Sequence, residues 1–167
     1  MTKTLILMRH AKSGWEDGSL DDIDRPLSDR GRRNAPVMAA WLEAGGFLPD
    51  VALVSAARRT QETWDIVSEA LPAQTVDIRQ DLYLASPKGI LDAVKTQSAD
   101  TVLVLAHNPG IANAAHMLVA EMPGDGAFLR YPTLATAVIR FDGDDWSAAR
   151  EDAGTLLAFT VPRALET

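Results

Sequence analysis

Thr101-Val102-Leu103-Val104-Leu105-Ala106-His107-Asn108-Pro109-Gly110 is the stretch on which the fold turns. Its first six residues are β-type, and Leu103-Val104-Leu105-Ala106 are apolar at consecutive rather than alternate positions, so a strand here buries both of its faces. Such a strand belongs in the middle of a parallel sheet with helices on either side. A helical pattern follows at once, from Gly110 to Glu121. Working outward, further β-type runs occur at Thr4 to Met8, Val51 to Val54, Thr75 to Ile78, Ala135 to Phe141 and Thr155 to Val161. Apolar residues at helical spacing fill the earlier intervals, over Ser28 to Ala44, Arg58 to Leu71 and Pro87 to Lys95. Strands alternating with helices imply βαβ crossovers, and the fold class predicted is α/β: three α/β/α layers around a mainly parallel central sheet. The last third reads differently. Phe141-Asp142-Gly143-Asp144-Asp145 is a turn cluster, and the strands flanking it lack a crossover helix, which predicts an antiparallel edge strand. Pro36 falls inside the first helical pattern, so that helix either starts near Asn34 as its cap or is kinked at the proline. The segment from Met122 to Pro132 is expected to be a mobile loop.

A chain of 167 residues suits one domain, expected to span residues 1–167. With 47% hydrophobic and 23% charged residues, the composition excludes disorder, collagen and a membrane bundle. The net charge of -7 argues against nucleic acid or an anionic membrane as partner, so any bound anion must be held by a few focused cations. The absence of cysteine excludes disulfides, cysteine-ligated metals and thiol nucleophiles. The apolar run at the start is shorter than a signal-peptide core, and no stretch approaches the ~20 apolar residues of a membrane span, so the cytoplasm is the expected location.

In parallel α/β sheets, ligands bind beyond the carboxyl ends of the strands. After the first strand come Arg9 and His10; after the second, past Ser55, come Arg58 and Arg59; after the fourth comes His107. Each signal is weak singly, since an Arg-His pair can be a surface salt bridge and His107 can be satisfied by the backbone at a helix start. Together they place two imidazoles and at least two guanidiniums on one edge of an acidic protein, which is an anion site and most simply a phosphate site. Rival readings fare worse. Ala11-Lys12-Ser13 lacks the glycines of a nucleotide-phosphate loop, and the dinucleotide fingerprint is missing. His10, His107 and His116 could ligate zinc, but neighbouring arginines would repel a dication, and His116 reads as a surface histidine. Asp21-Asp22-Asp24 and Asp142-Gly143-Asp144-Asp145 are explained by loop and turn chemistry without calcium. Neither a metal nor a cofactor is expected. Helix phase separates the adjacent arginines: Arg59 shares a face with Thr63, Ile66, Val67 and Ala70, and Arg58 with Glu62, Asp65 and Glu69. Arg59 should therefore face the sheet edge and Arg58 the solvent.

Four spaced motifs carry a resemblance. Leu7-Met8-Arg9-His10-Ala11-Lys12-Ser13, Asp24-Arg25-Pro26-Leu27-Ser28 with Gly31, Ser55 to Thr63, and Ala106-His107-Asn108-Pro109-Gly110 resemble the histidine phosphatase superfamily, with its phosphoglycerate mutase-like fold. Within it the chain is similar to the short SixA-type phosphohistidine phosphatases. The resemblance implies that His10 is the nucleophile that takes the phosphoryl group, that Arg9, Arg59 and His107 hold that group, and that Arg25 contacts substrate near the pocket. Two positions depart from the family pattern. Ala56 stands where proline is usual, and Leu84 stands where mutase-like relatives carry a glutamate general acid. An alkoxide leaving group needs that acid, whereas the imidazole of a phosphohistidine needs it less. The implied activity is a metal-independent phosphatase working through a phosphohistidine enzyme intermediate on a phosphorylated protein partner. The alternatives are a phosphatase of a small phosphate ester, with Asp81 as its acid, or a phospho-ligand binding module without turnover.

Overall fold

The computed structural model describes residues 1–14 and 17–166. The run Thr101–Ala106 forms the strand labelled β4, whose residues from Val102 onward are buried. Parallel neighbours flank it, β1 (Thr2–Arg9) on one side and β2 (Val51–Ser55) on the other. The sheet has six strands in the order β3-β2-β4-β1-β5-β6, with β3 at Thr75–Arg79, β5 at Thr136–Asp142 and β6 at Thr155–Thr160. Strands β1 to β4 pair in parallel. The antiparallel pairings lie at the far edge, where β5 runs against β1 and β6 runs against β5. Register brings three strand ends level, since Arg9 pairs with Ala106, and Val54 with Leu105. Whatever follows β1, β2 and β4 in sequence is therefore gathered at one edge.

Alternate residues of the central strands feed two cores. Leu5, Leu7, Val102, Val104 and Ala106 pack under α3 (Pro87–Lys95), α4 (Gly110–Leu118) and α5 (Gly126–Arg130). Ile6, Met8, Leu103 and Leu105 pack under α1 (Asp29–Ala44) and α2 (Arg58–Val67), with Leu165 of α6 (Pro162–Leu165) against the same core. These are the two covered faces that the uninterrupted apolar run requires.

One alternative left open by the sequence is decided, and one local expectation is corrected. Helix α1 runs through Pro36 and starts well before Asn34, with Ser28 as its cap: the Ser28 hydroxyl accepts from the Gly31 amide at 3.1 Å. An interior proline costs about 3 kcal/mol. Pro36 lies on the exposed side, and burial of Ala35, Met38, Ala39 and Leu42 opposite it offsets that loss. Gly31 belongs to the same stripe because a Cβ there would lie 2.2 Å from the Lys12 carbonyl oxygen. The segment from Met122 to Pro132 is not a structureless loop. It contains α5, capped by the Asp125 carboxylate, and it is anchored by Phe128 and Tyr131, both wholly buried.

Candidate functional site

At the level ends of β1, β2 and β4 lies a pocket of about 280 Å³, lined by Arg9, His10, Arg25, Arg59 and His107 together with Lys12, Ser13, Leu84, Asn108 and Thr133. All five expected site residues thus converge. His10 and His107 are 6% and 2% exposed, with ring centroids 5.4 Å apart.

The hydrogen bonds fix the tautomers. His10 Nδ1 lies 2.7 Å from the Ala11 carbonyl oxygen, which can only accept, so Nδ1 carries the proton and the neutral ring keeps its lone pair on Nε2. Burial lowers the His10 pKa to about 3, with the charges of His107, Arg9 and Arg59 acting in the same direction and the Ala11 hydrogen bond opposing them. His107 has the opposite tautomer. Arg59 Nη2 donates to its Nδ1 at 3.3 Å, so the proton of the neutral ring sits on Nε2 and is donated to Ser55 Oγ at 2.7 Å. Burial, followed by the Arg59 charge, lowers the His107 pKa to about 3 as well.

Arg59 is 3% exposed and starts the buried face of α2, with Thr60, Thr63, Trp64 and Val67. Arg58 points outward and pairs with Glu62 at 3.2 Å, the phase expected from sequence. Thr63 locks α2 to the nucleophile loop: its hydroxyl donates to the Arg59 carbonyl at 2.7 Å and accepts from the Ala11 amide at 3.1 Å. Arg9 donates to the Tyr131 carbonyl at 3.2 Å, and the Asn108 amide donates to that oxygen at 2.9 Å. Tyr131 presents the carbonyl from a left-handed conformation, φ 48°, held by burial and by its hydroxyl bond to the Leu7 carbonyl at 2.6 Å.

Three supporting residues were missed by sequence reasoning. Asp22, read as loop chemistry, accepts from Arg59 at 3.1 Å, Arg25 at 3.1 Å and the Tyr83 hydroxyl at 2.5 Å. Partial burial pushes the Asp22 carboxyl up, but the bonds from Tyr83, Arg59 and Arg25 outweigh it and bring the pKa to about 2. Ser55 and Tyr131 are the others. A basic site implies an acidic orienter, yet nothing in sequence singles out Asp22 among Asp21, Asp22 and Asp24. Arg25 is buried and also donates to Ser13 Oγ at 2.7 Å, so it is part of the pocket wall. His116 is not a free surface histidine: it is half-buried, and its Nε2 lies 2.7 Å from the Phe128 carbonyl, away from the pocket lining.

Leu84 occupies the rim at 57% exposure. The turn carrying it is seated by Gly110, where a Cβ would stand 1.8 Å from the Ala85 carbonyl oxygen. Asp81, the alternative acid, lies outside the pocket lining and is paired with Arg79 at 2.7 Å; that hydrogen bond holds its carboxyl below the ordinary range.

The two depressed histidines predict acid sensitivity. In the folded chain they stay neutral down to about pH 3, whereas unfolded histidines bind protons near 6.5. Between those values the unfolded state holds more protons, so stability is fully present above about pH 6.5 and is lost progressively as pH falls toward 3. The melting midpoint should drop between pH 7 and 4. His10→Asn, which can still donate to the Ala11 carbonyl, should flatten that slope; an unchanged slope would contradict the neutral-imidazole assignment.

An α/β sheet edge carrying two imidazoles and three guanidiniums is built to handle a phosphate group. The family model of the histidine phosphatase superfamily (branch 1) matches residues 5–83. An uncharacterised protein of Mycobacterium tuberculosis is 32% identical over 163 residues, covering 93% of this chain and 100% of the relative. An uncharacterised chloroplastic protein of Arabidopsis thaliana is 33% identical over 161 residues, covering 89% and 71%. A structure from Nakamurella multipartitia, assigned as a SixA phosphohistidine phosphatase, superposes with a TM-score of 0.80 at 33% identity, covering 97% of each chain. The protein histidine phosphatase SixA complexed with tungstate shares the fold, with a TM-score of 0.79 at 22% identity and coverage of 98% and 99%. The chain belongs to the histidine phosphatase superfamily and is a histidine-based phosphatase.

Proposed function

We propose that this phosphatase hydrolyses phosphohistidine on a protein partner, with His10 as nucleophile and Arg9, Arg59 and His107 as the phosphoryl clamp. One observation carries the reading: the pocket holds a neutral imidazole nucleophile among cations, yet among the described residues no Asp or Glu lines it. The lone pair on His10 Nε2 attacks phosphorus as the substrate P–N bond breaks, and the departing imidazole keeps the electron pair of that bond and takes a proton from solvent at the open rim. Water then attacks phospho-His10, releasing inorganic phosphate and restoring the neutral ring. The guanidiniums of Arg9 and Arg59 supply the positive charge that the transferring group needs, so the chemistry asks for no dication. With no carboxyl acid among the described lining residues to protonate the leaving group, a good leaving group is required, and imidazole is one. The exposed rim at Leu84 leaves room for a side chain presented by another protein.

The test is a substrate panel. Phosphohistidine peptide should exceed alkyl phosphates by at least about a hundredfold in kcat/KM, the usual worth of a general acid, and aryl phosphates should fall between. Efficient hydrolysis of a sugar phosphate would overturn the reading in favour of a small-ester phosphatase.

A further inference from the structure

Half of the chain's 16 lysines and arginines form ion pairs, and the other eight form none among the described residues. Those eight are not scattered. Five of them, Arg9, Lys12, Arg30, Arg130 and Arg163, line two adjoining pockets. Arg9 and Lys12 belong to the catalytic pocket, and Lys12 and Thr133 are shared with a second hollow of about 270 Å³, which Arg30, Arg130 and Arg163 complete. Among the described residues no carboxylate lines this second hollow. Its cations come from four separate segments: the loop after β1, helix α1, the end of α5 and helix α6. A solvated run of charge on one helix would not produce that convergence, and in a chain with 23 acidic residues against 16 lysines and arginines, acidic neighbours could readily neutralise such cations.

We propose that this hollow is a second anion subsite, which takes a carboxylate or phosphate carried by the same substrate molecule whose phosphoryl group enters the catalytic pocket. The shared Lys12 and Thr133 make the two spaces neighbours, so the second hollow lies within reach of a group carried beside the phosphoryl group. Resting on the function proposed above, the source of the second anion is an acidic side chain beside the phosphohistidine of the partner; a small bisphosphate offers the same chemistry. Electrostatic complementarity of this kind selects substrates and accelerates encounter more than it changes the chemical step.

The experiment compares wild type with Arg30→Glu/Arg163→Glu and, independently, Arg130→Glu, all at exposed positions. Three substrate sets are used: phosphohistidine peptides flanked by Glu or by Lys, a sugar monophosphate with its bisphosphate, and phenyl phosphate as the reference with one anionic group. Wild type should prefer the Glu-flanked peptide by about tenfold in kcat/KM, and the variants should lose or invert that preference while turning over phenyl phosphate within about twofold of wild type. A charge preference seen only between the sugar phosphates would uphold the subsite, assign it to a small bisphosphate, and overturn the protein-substrate reading. Equal rates on both members of each pair, in wild type and variants alike, would overturn the subsite, and the peptide rates themselves would show whether phosphohistidine hydrolysis survives. Folded variants that lose phenyl phosphate turnover would also overturn it, because the two spaces would then not be separable.

Discussion

His10→Ala is expected to lose at least about a thousandfold in kcat, the scale on which removal of a covalent nucleophile is felt. The reason lies in the tautomer. With the Nδ1 proton committed to the Ala11 carbonyl at 2.7 Å, Nε2 carries the lone pair, and a ring whose pKa is lowered to about 3 does not need deprotonation at neutral pH. No serine, threonine or cysteine is required to take the phosphoryl group. The covalent step has a chemical signature: phosphate trapped by a rapid quench during turnover should be acid-labile and base-stable, as a phosphoramidate is, and should map to His10. The pH profile provides a second check. A neutral imidazole nucleophile predicts no acid limb near 6.5 arising from His10 in the free enzyme. A folded His10→Ala protein with undiminished turnover would remove the nucleophile assignment, and base-labile phosphate on the enzyme would move it to a carboxylate.

The parts of this molecule that were legible in sequence are those set by strand ends and helix phase. Leu103-Val104-Leu105-Ala106 announced a two-faced strand, and the structure divides its side chains between two cores as that run requires. Arg9, His10, Arg59 and His107 could be brought together because each ends a strand, follows one directly or lies in the first turn of the next helix, and a parallel sheet aligns such positions by register alone. What stayed hidden depends on long-range contacts. Asp22 is one of three nearby aspartates, and only the tertiary approach of the 22–24 turn to α2 gives it Arg59 and Tyr83 as partners. Tyr131 reads as a core aromatic, yet its contribution to the site is a backbone carbonyl in a left-handed conformation, which no side-chain pattern encodes. The start of helix α1 stayed open for a different reason. Proline is a strong local breaker, but a cap at Ser28 and a buried stripe on the opposite face together outweigh one missing hydrogen bond on the solvent side.

Arg59→Ala is expected to cost about 2–4 kcal/mol in kcat/KM on an aryl phosphate, roughly 30- to 1000-fold, whereas Arg58→Ala should be nearly silent. The two side chains are adjacent in sequence and opposite in environment. Arg59 is 3% exposed, donates to His107 Nδ1 at 3.3 Å and is aimed by Asp22, whose backbone oxygen and carboxylate accept at 2.7 and 3.1 Å. Its direction is set before substrate arrives, so charge developing on a phosphoryl group meets a guanidinium that need not reorient. Arg58 is half-exposed and bound to Glu62 at 3.2 Å, and Glu62 also holds Arg32 and the Leu27 amide. Losing Arg58 leaves that carboxylate with two partners and removes one exposed i,i+4 pair, worth a few tenths of a kcal/mol. Arg59→Lys separates charge from geometry: an ammonium restores a cation but cannot bond Asp22 and His107 through a planar fork, so it should recover only a small part of the loss. Circular dichroism and melting curves on each variant keep kinetic effects apart from folding defects. If folded Arg58→Ala proved the slower enzyme, the inward phase of α2 and the phosphoryl clamp built on it would both be wrong.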